Sequence, residues 1–140
     1  MAMMALKQEL AQYLSQNFMD GTLNRQYEEL QKLRDINNLR FIVEVLTLFC
    51  SETERMKPFM NIPTVESYVQ TIRGSSTTIG SQNVTLSCDE FCRASERKNI
   101  AGCHKALLQL IREFYHTRDV FKKIIELERK IIYLATKTQA

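Results

Sequence analysis

In the last third of the chain, apolar residues recur at helical spacing over one long uninterrupted segment. From about Ala101 to Thr136, apolar side chains recur every three or four residues, and no proline interrupts them. This periodicity predicts an amphipathic helix, and a rise of 1.5 Å per residue makes it roughly 50 Å long. A helix of that length can bury its apolar stripe only against other helices. The sequence therefore predicts a helical bundle.

Shorter helical segments precede this stretch, and with only four glycines and two prolines the chain contains few strand and turn signals. The predicted helices end near Phe18, run from about Asn24 to Leu33, run from near Leu39 to about Pro58, and then span Pro63 to Gly80 and Ser81 to Lys98. The short connections favour antiparallel neighbours. We predict an all-α fold: helices three to six form an antiparallel four-helix up-down bundle, with two additional N-terminal helices packed alongside.

The third predicted helix is apolar around much of its circumference. Its apolar residues are Phe41, Val43, Val45, Leu46, Leu48 and Phe49. This pattern is typical of a helix packed between others.

The length and composition favour one domain over residues 1–140, because 140 residues with 44% hydrophobic content can build a single compact core. No apolar run is long enough to span a bilayer, and the N-terminus lacks a secretion signal. We therefore expect the protein to stay inside the cell, away from membranes. In that compartment the cysteines are expected as reduced thiols rather than disulfides, at Cys50, Cys88, Cys92 and Cys103.

The cysteine spacing invites a zinc site but does not suit one. Cys88 and Cys92 lie one helical turn apart, followed by Cys103 and His104. Structural zinc sites place paired ligands two to four residues apart in both halves, and adjacent residues on one helix point about 100° apart. The chain also has no phosphate-binding loop or nucleophile and base pattern. We predict no metal and no cofactor.

Charge is uneven along the chain. Residues 97–140 carry ten basic and four acidic side chains, whereas residues 1–96 carry nine and twelve. A basic helix can bind nucleic acid, but here Glu113, Asp119, Glu126 and Glu128 are interleaved with the cations. This alternation is typical of a solvated helix face. We predict a monomer that does not bind nucleic acid.

A glycine lies inside the fourth predicted helix, where Gly74 is followed by Ser75 and Ser76. A glycine within a helix costs roughly 1 kcal/mol relative to alanine, and a close approach by another surface is the usual reason for it. Gln70, Arg73, Gly74 and Thr77 fall at positions i, i+3, i+4 and i+7, so they share one helix face. The pattern predicts a docking surface, although Gln70 alone would fit any solvated face.

The run from Gln70 to Gly80 resembles the motif of the histidine-containing phosphotransfer proteins of plants. In that motif a phosphorylatable histidine stands four residues before the glycine, and a lysine directly precedes the glycine. Here Gln70 takes the place of the histidine and Arg73 that of the lysine. The resemblance extends over nearly the whole chain, through Leu14 to Leu30, Phe41 to Phe49 and Cys103 to Ile131. The hairpin between Phe49 and Gln70 is about two turns shorter than in the family.

This resemblance implies a protein that docks without transferring phosphate. Family members pass a phosphoryl group between receiver domains, using an imidazole nitrogen with a free lone pair. The amide nitrogen lone pair of Gln70 is delocalised, so the side chain can only donate and accept hydrogen bonds, while Arg73 keeps a charge that can bind phosphate. The chain would then be a pseudo-phosphotransfer protein of cytokinin-type signalling, not an enzyme, competing for receiver domains of hybrid sensor histidine kinases and response regulators in the cytoplasm and nucleus.

The resemblance also assigns the residues that would contact a receiver domain. The polar docking residues are Gln70, Arg73, Gly74, Ser75, Thr77 and Gln82, and an apolar rim is expected from Leu23, Phe41 and Val45. Ser75, Ser76, Thr77 and Thr78 could instead bond to backbone carbonyls.

Two alternatives stay open. The chain could be an active phosphorelay mediator that uses His104 or His116, although neither adjoins a glycine-serine run. It could also be a helical interaction protein unrelated to phosphorelays, in which the face around Gly74 packs against another helix.

Overall fold

The computed structural model describes residues 2–34, 39–53 and 62–138. Within these ranges the chain forms six helices, which are α1 Ala2–Met19, α2 Arg25–Lys32, α3 Phe41–Thr53, α4 Ile62–Ile79, α5 Gln82–Glu96 and α6 Ile100–Thr138. The prediction of an all-α fold is confirmed. In the described part of the chain, no helix is both long and apolar enough to cross a membrane.

The observed helix ends lie within about two residues of the predicted ones, the usual uncertainty of a helix boundary. Asn24 caps α2, because its side-chain Oδ1 accepts a hydrogen bond of 2.9 Å from the backbone N–H of Gln26. The predicted helix end near Pro58 lies outside the described residues, as does much of the shortened hairpin between Phe49 and Gln70.

The long helix α6 organises the bundle. It contains 39 residues and is therefore about 58 Å long. Helices α5, α1 and α3 all pack against it, α4 packs against α5, and α2 packs against α4. Residues 80–81 alone join α4 to α5, and residues 97–99 join α5 to α6, so these neighbours are antiparallel. This arrangement confirms the predicted four-helix bundle with two N-terminal helices alongside.

The core consists of two clusters of buried side chains, and α6 contributes to both. The first cluster joins α1, α2, α3 and Ile79 at the end of α4 mainly to the C-terminal half of α6, where the ring of Phe121 contacts those of Tyr27 and Phe49 at centroid distances of 6.4 and 5.6 Å. The second joins α4 and α5 to the N-terminal half of α6, around Val69 and Leu110. Each half of the long helix therefore has its own set of partners.

The expectation that α3 is covered on most sides is wrong at one position. Leu48 is 59% exposed, whereas Ile42, Leu46 and Phe49 are buried. Among the described helices α3 packs chiefly against α6 and, to a smaller extent, α4, and the side of α3 that carries Leu48 stays open.

A buried ion pair ties the end of α2 to α6. Glu128 is 1% exposed and accepts a hydrogen bond of 2.6 Å from Nη2 of Arg34. The hydroxyl of Tyr27 is buried nearby without a hydrogen-bond partner among the described residues. Burial raises the pKa of Tyr27, and the charge of Glu128 raises it further, so this phenol stays protonated.

Gly80 allows α2 to approach the end of α4 very closely. Its φ is +83°, and its carbonyl accepts a 2.9 Å hydrogen bond from the N–H of Asn24. A Cβ atom at this position would lie 2.3 Å from the backbone nitrogen of Tyr27. Glycine is therefore required both by the backbone conformation and by the contact.

We expect Gly80→Ala to lower the free energy of unfolding by roughly 3 kcal/mol, because it adds a steric clash to a left-handed backbone conformation. Gly21→Ala is the matched control, since Gly21 has a φ of +82° but no atom within 4 Å of the added Cβ. The control should lose only about 1 kcal/mol. Urea denaturation followed by circular dichroism measures both, and equal losses would contradict this account of the α2–α4 contact.

Candidate functional site

The motif residues lie together on an exposed face of α4. The helix continues without a break through Gly74, and Gln70, Arg73, Gly74 and Thr77 are all exposed, while Ser75 is half-buried. Gln82 is also exposed and is the first residue of α5, beyond the turn at Gly80. The four residues predicted to share one helix face therefore form a solvent-accessible patch.

Packing among the residues that the structure describes does not account for Gly74. A Cβ atom built there would meet no atom of the surroundings within 4 Å. The neighbouring hydroxyls bond to the helix itself, since Oγ1 of Thr77 donates to the carbonyl of Arg73 at 2.7 Å and that of Thr78 to the carbonyl of Gly74 at 3.0 Å. The missing side chain at Gly74 leaves the patch flat, and the hydroxyls of Thr77 and Thr78 already have hydrogen-bond partners.

An open groove of about 450 Å³ runs between α3 and α4 beside this patch. Its walls are mainly apolar on the α3 side and small or polar on the α4 side, and they consist of Val45, Leu48, Phe49, Gln70, Thr71, Gly74, Ser75, Thr78 and Ile79. The exposed side chain of Leu48, missed from the sequence, stands at this groove. The patch and the groove form one continuous surface.

Of the three residues expected at the apolar rim, Val45 is at the groove. Phe41 is half-buried and packs against the first core cluster, as Val45 also does in part. Leu23 is wrong as a rim residue because its side chain is 2% exposed within that cluster. The chain is fixed there by an isolated bridge to Ser81 and by a hydrogen bond from the N–H of Leu23 to the carbonyl of Asn17.

Polar side chains connect α4 to α5 along their length, and we call these contacts the α4–α5 polar seam. Its members recur every three or four residues on each helix, and the pairs are Glu66 with Ser95, Gln70 with Cys92, Arg73 with Asp89, and Ser76 with Thr85. We did not predict the partners on α5 from the sequence, although polar residues three or four positions apart share a helix face and so indicate a polar stripe.

Two residues of the exposed patch belong to the seam. The Nε2 group of Gln70 contacts Sγ of Cys92 at 3.5 Å. The Nε–H group of Arg73 donates to Oδ1 of Asp89, and the two side chains are 50% and 31% exposed. The hydrogen bond that Arg73 donates to Asp89 and the negative charge of Asp89 both raise the pKa of the Arg73 guanidinium. Arg73 therefore stays charged and paired.

Known proteins of similar sequence and fold identify the family. Histidine-containing phosphotransfer protein 2 of Oryza sativa subsp. japonica is 33% identical over 141 residues, which cover 94% of this chain and 95% of that protein. The chain belongs to the histidine-containing phosphotransfer proteins of plants. The crystal structure of a rice phosphotransfer protein matches it with a TM-score of 0.81 at 33% identity, covering 94% of this chain and 99% of that one. No general protein-family model matches the sequence.

Pseudo-phosphotransfer proteins are among the relatives of this phosphotransfer protein. The pseudo histidine-containing phosphotransfer protein 6 of Arabidopsis thaliana is 25% identical over 140 residues, covering 93% of this chain and 91% of that protein. Phosphotransfer proteins and pseudo-phosphotransfer proteins therefore both match this chain over nearly its whole length.

The two histidines of this phosphotransfer protein lie on α6. Both His104 and His116 are exposed, and Nε2 of His116 lies 3.4 Å from Oγ1 of Thr22. Neither belongs to the patch on α4. In the described residues, no group of three or more histidine, cysteine or acidic side chains is placed to hold a metal ion.

The thiols should differ in reactivity, because the thiolate is the reactive form. Burial raises the pKa of Cys88 to about 12. Burial also raises the pKa of Cys92, but Arg73 opposes that rise and the side chain is only half-buried. We expect iodoacetamide at neutral pH to modify Cys92 before Cys88 in the native protein, measured by peptide mass spectrometry. The same reaction in urea is the control, and equal native rates would show that Cys88 is not protected.

Proposed function

We propose that this family member is a pseudo-phosphotransfer protein that binds receiver domains but does not accept phosphate. The observation that carries the proposal is Gln70, which stands exposed on α4 one turn before Gly74. This is the position at which the resemblance places the phosphorylatable histidine. The chain has histidines only at His104 and His116, on a different helix.

The chemistry of Gln70 supports binding without transfer. A phosphoryl group moves to a side chain only if that side chain offers a nucleophilic lone pair, as a neutral imidazole does. The carboxamide nitrogen of Gln70 lacks such a pair and acts as a hydrogen-bond donor, here towards Cys92. An aspartyl phosphate placed against this face would meet no acceptor and would remain on the receiver domain.

The shape of the surface supports docking. At Gly74 none of the described residues occupies the space above the helix, and the adjoining groove presents Val45 and Leu48. An apolar area with a nearby cation suits a partner whose acidic pocket is surrounded by apolar residues. An interface at or below about 1,600 Å² would be transient, as a signalling contact requires.

The resulting role is that of a competitor. A protein that occupies receiver domains of hybrid sensor histidine kinases and response regulators without carrying phosphate lowers the flow through a multistep phosphorelay. We assign this role to cytokinin-type signalling in the cytoplasm and nucleus, because the resemblance to the plant family implies that pathway.

Gln70→His should restore phosphate acceptance. We expect a phosphorylated receiver domain to label this variant with acid-labile phosphate and to leave the native protein unlabelled. Both proteins should bind the receiver with affinities within about fivefold, because exchanging one polar side chain changes the binding free energy by about 1 kcal/mol or less. Replacing His104 and His116 by glutamine in the variant is the control, and labelling of the native protein would show that another histidine is active.

Gly74 offers a second test, in which stability and binding should change in opposite directions. Gly74→Ala should raise the free energy of unfolding by up to about 1 kcal/mol, because alanine favours the helix and the added Cβ meets nothing. Gly74→Leu should keep the fold but weaken receiver binding at least about tenfold by blocking close approach. Ala101→Leu, at an exposed position of α6, is the control. Unchanged receiver binding by Gly74→Leu would favour an unrelated helical interaction protein.

A further inference from the structure

The patch on α4 contains its own counter-ion. Arg73 is the cation of the patch, and its Nε–H group already donates to Oδ1 of Asp89 across the polar seam. Both side chains remain accessible, at 50% and 31% exposure. A partner that approaches Gly74 therefore meets an ion pair rather than a free cation.

The position of Asp89 results from the antiparallel packing of α4 and α5. Ser76 pairs with Thr85 at 2.8 Å on one side of it, and Gln70 contacts Cys92 on the other. These contacts set the register of the two helices, so Asp89 on α5 stands opposite Arg73 on α4. The packing of the two helices therefore places the Asp89 carboxylate next to the Arg73 guanidinium.

An anion of the partner must then compete with this carboxylate. A guanidinium has five N–H donors, and it binds a carboxylate or phosphate best through two parallel hydrogen bonds. With Nε–H engaged by Asp89, a side-on pair of bonds from Nε and one Nη is blocked. The negative charge of Asp89 also repels any second anion placed at the remaining donors.

We propose that Asp89 is an intramolecular competitor for Arg73, which weakens docking and makes it selective for partners whose own anion is strong enough to displace the Asp89 carboxylate. The inference rests on the proposed function, because the anion in question is the acidic or phosphorylated pocket of a receiver domain. Asp89 thereby sets how much the affinity depends on the partner's charge, without itself contacting the phosphoryl group.

The first experiment measures binding of one receiver domain to four proteins, namely the native chain, Asp89→Asn, Glu90→Gln and the double variant Asp89→Asn with Arg73→Gln. Glu90 is an exposed acid next to Asp89 on α5, so Glu90→Gln reports the effect of removing one charge at a distance. We expect Asp89→Asn to tighten binding about two- to fivefold. The gain in affinity caused by Asp89→Asn should exceed the gain caused by Glu90→Gln. It should be absent when Arg73 is also replaced by glutamine.

The salt dependence gives a second readout. A newly freed Arg73 should make binding by Asp89→Asn weaken more steeply with ionic strength than binding by the native protein. The inference is overturned if Asp89→Asn binds no tighter than Glu90→Gln, or if the gain persists without Arg73.

The second experiment needs no receiver domain, and it separates this inference from the proposed function. In NMR spectra the Arg73 Hε should exchange slowly with water in the native protein and faster in Asp89→Asn, and added inorganic phosphate should shift it more in Asp89→Asn than in Glu90→Gln. Equal exchange rates or equal shifts would overturn the inference. If no variant, Gln70→His included, binds any receiver domain, the proposed function fails and the phosphate titration decides the role of Asp89.

Discussion

The apolar stripe of α6 is the constraint on which the rest of the structure depends. A 39-residue amphipathic helix exposes more apolar surface than any single partner can cover, so its two halves recruit different helices. The C-terminal half packs mainly against α1, α2 and α3, and the N-terminal half packs mainly against α4 and α5. Burial of these side chains supplies most of the stabilisation, and the remaining features decide how the two clusters are joined.

Two glycines in the same region of the fold serve different purposes. Gly80 is required inside the molecule, where a side chain would collide with the backbone of Tyr27. At Gly74, six residues earlier, an added Cβ would meet none of the described residues, so the helix would tolerate and even prefer alanine there. A helix that gives up stability at a position with no internal demand is best explained by what lies outside it. This contrast is the strongest physical support for a docking surface.

The sequence predicted the helices and the shared face well, because both depend on local periodicity. The positions i, i+3, i+4 and i+7 place Gln70, Arg73, Gly74 and Thr77 together in any α-helix. Residues whose exposure depends on tertiary contacts were harder to predict. Leu23 was expected at the apolar rim of the docking surface but is buried in the first core cluster. Leu48 belongs to a helix expected to be packed between others but stands at the open groove.

The pairings of the polar seam also depend on tertiary contacts and could not be predicted from the sequence. Each of Thr85, Asp89, Cys92 and Ser95 is unremarkable on its own, and only the register of α4 against α5 shows which residue each one meets. Periodicity on α5 could have indicated a polar stripe, but not that Asp89 would face Arg73. Pairings between helices follow from the turn at Gly80 and Ser81 and from core packing, which a linear pattern does not encode.

The composition of α4 has a further consequence for the lifetime of the protein. Glycine followed by two serines and two threonines makes residues 74–78 a run of weak helix formers, so this segment should be among the first to open locally. Those residues also carry the surface offered to partners. A bound receiver domain would hold the helix closed and protect it from proteases, by the same linkage through which any ligand stabilises its native state. Occupancy by partners and persistence in the cell would then rise and fall together.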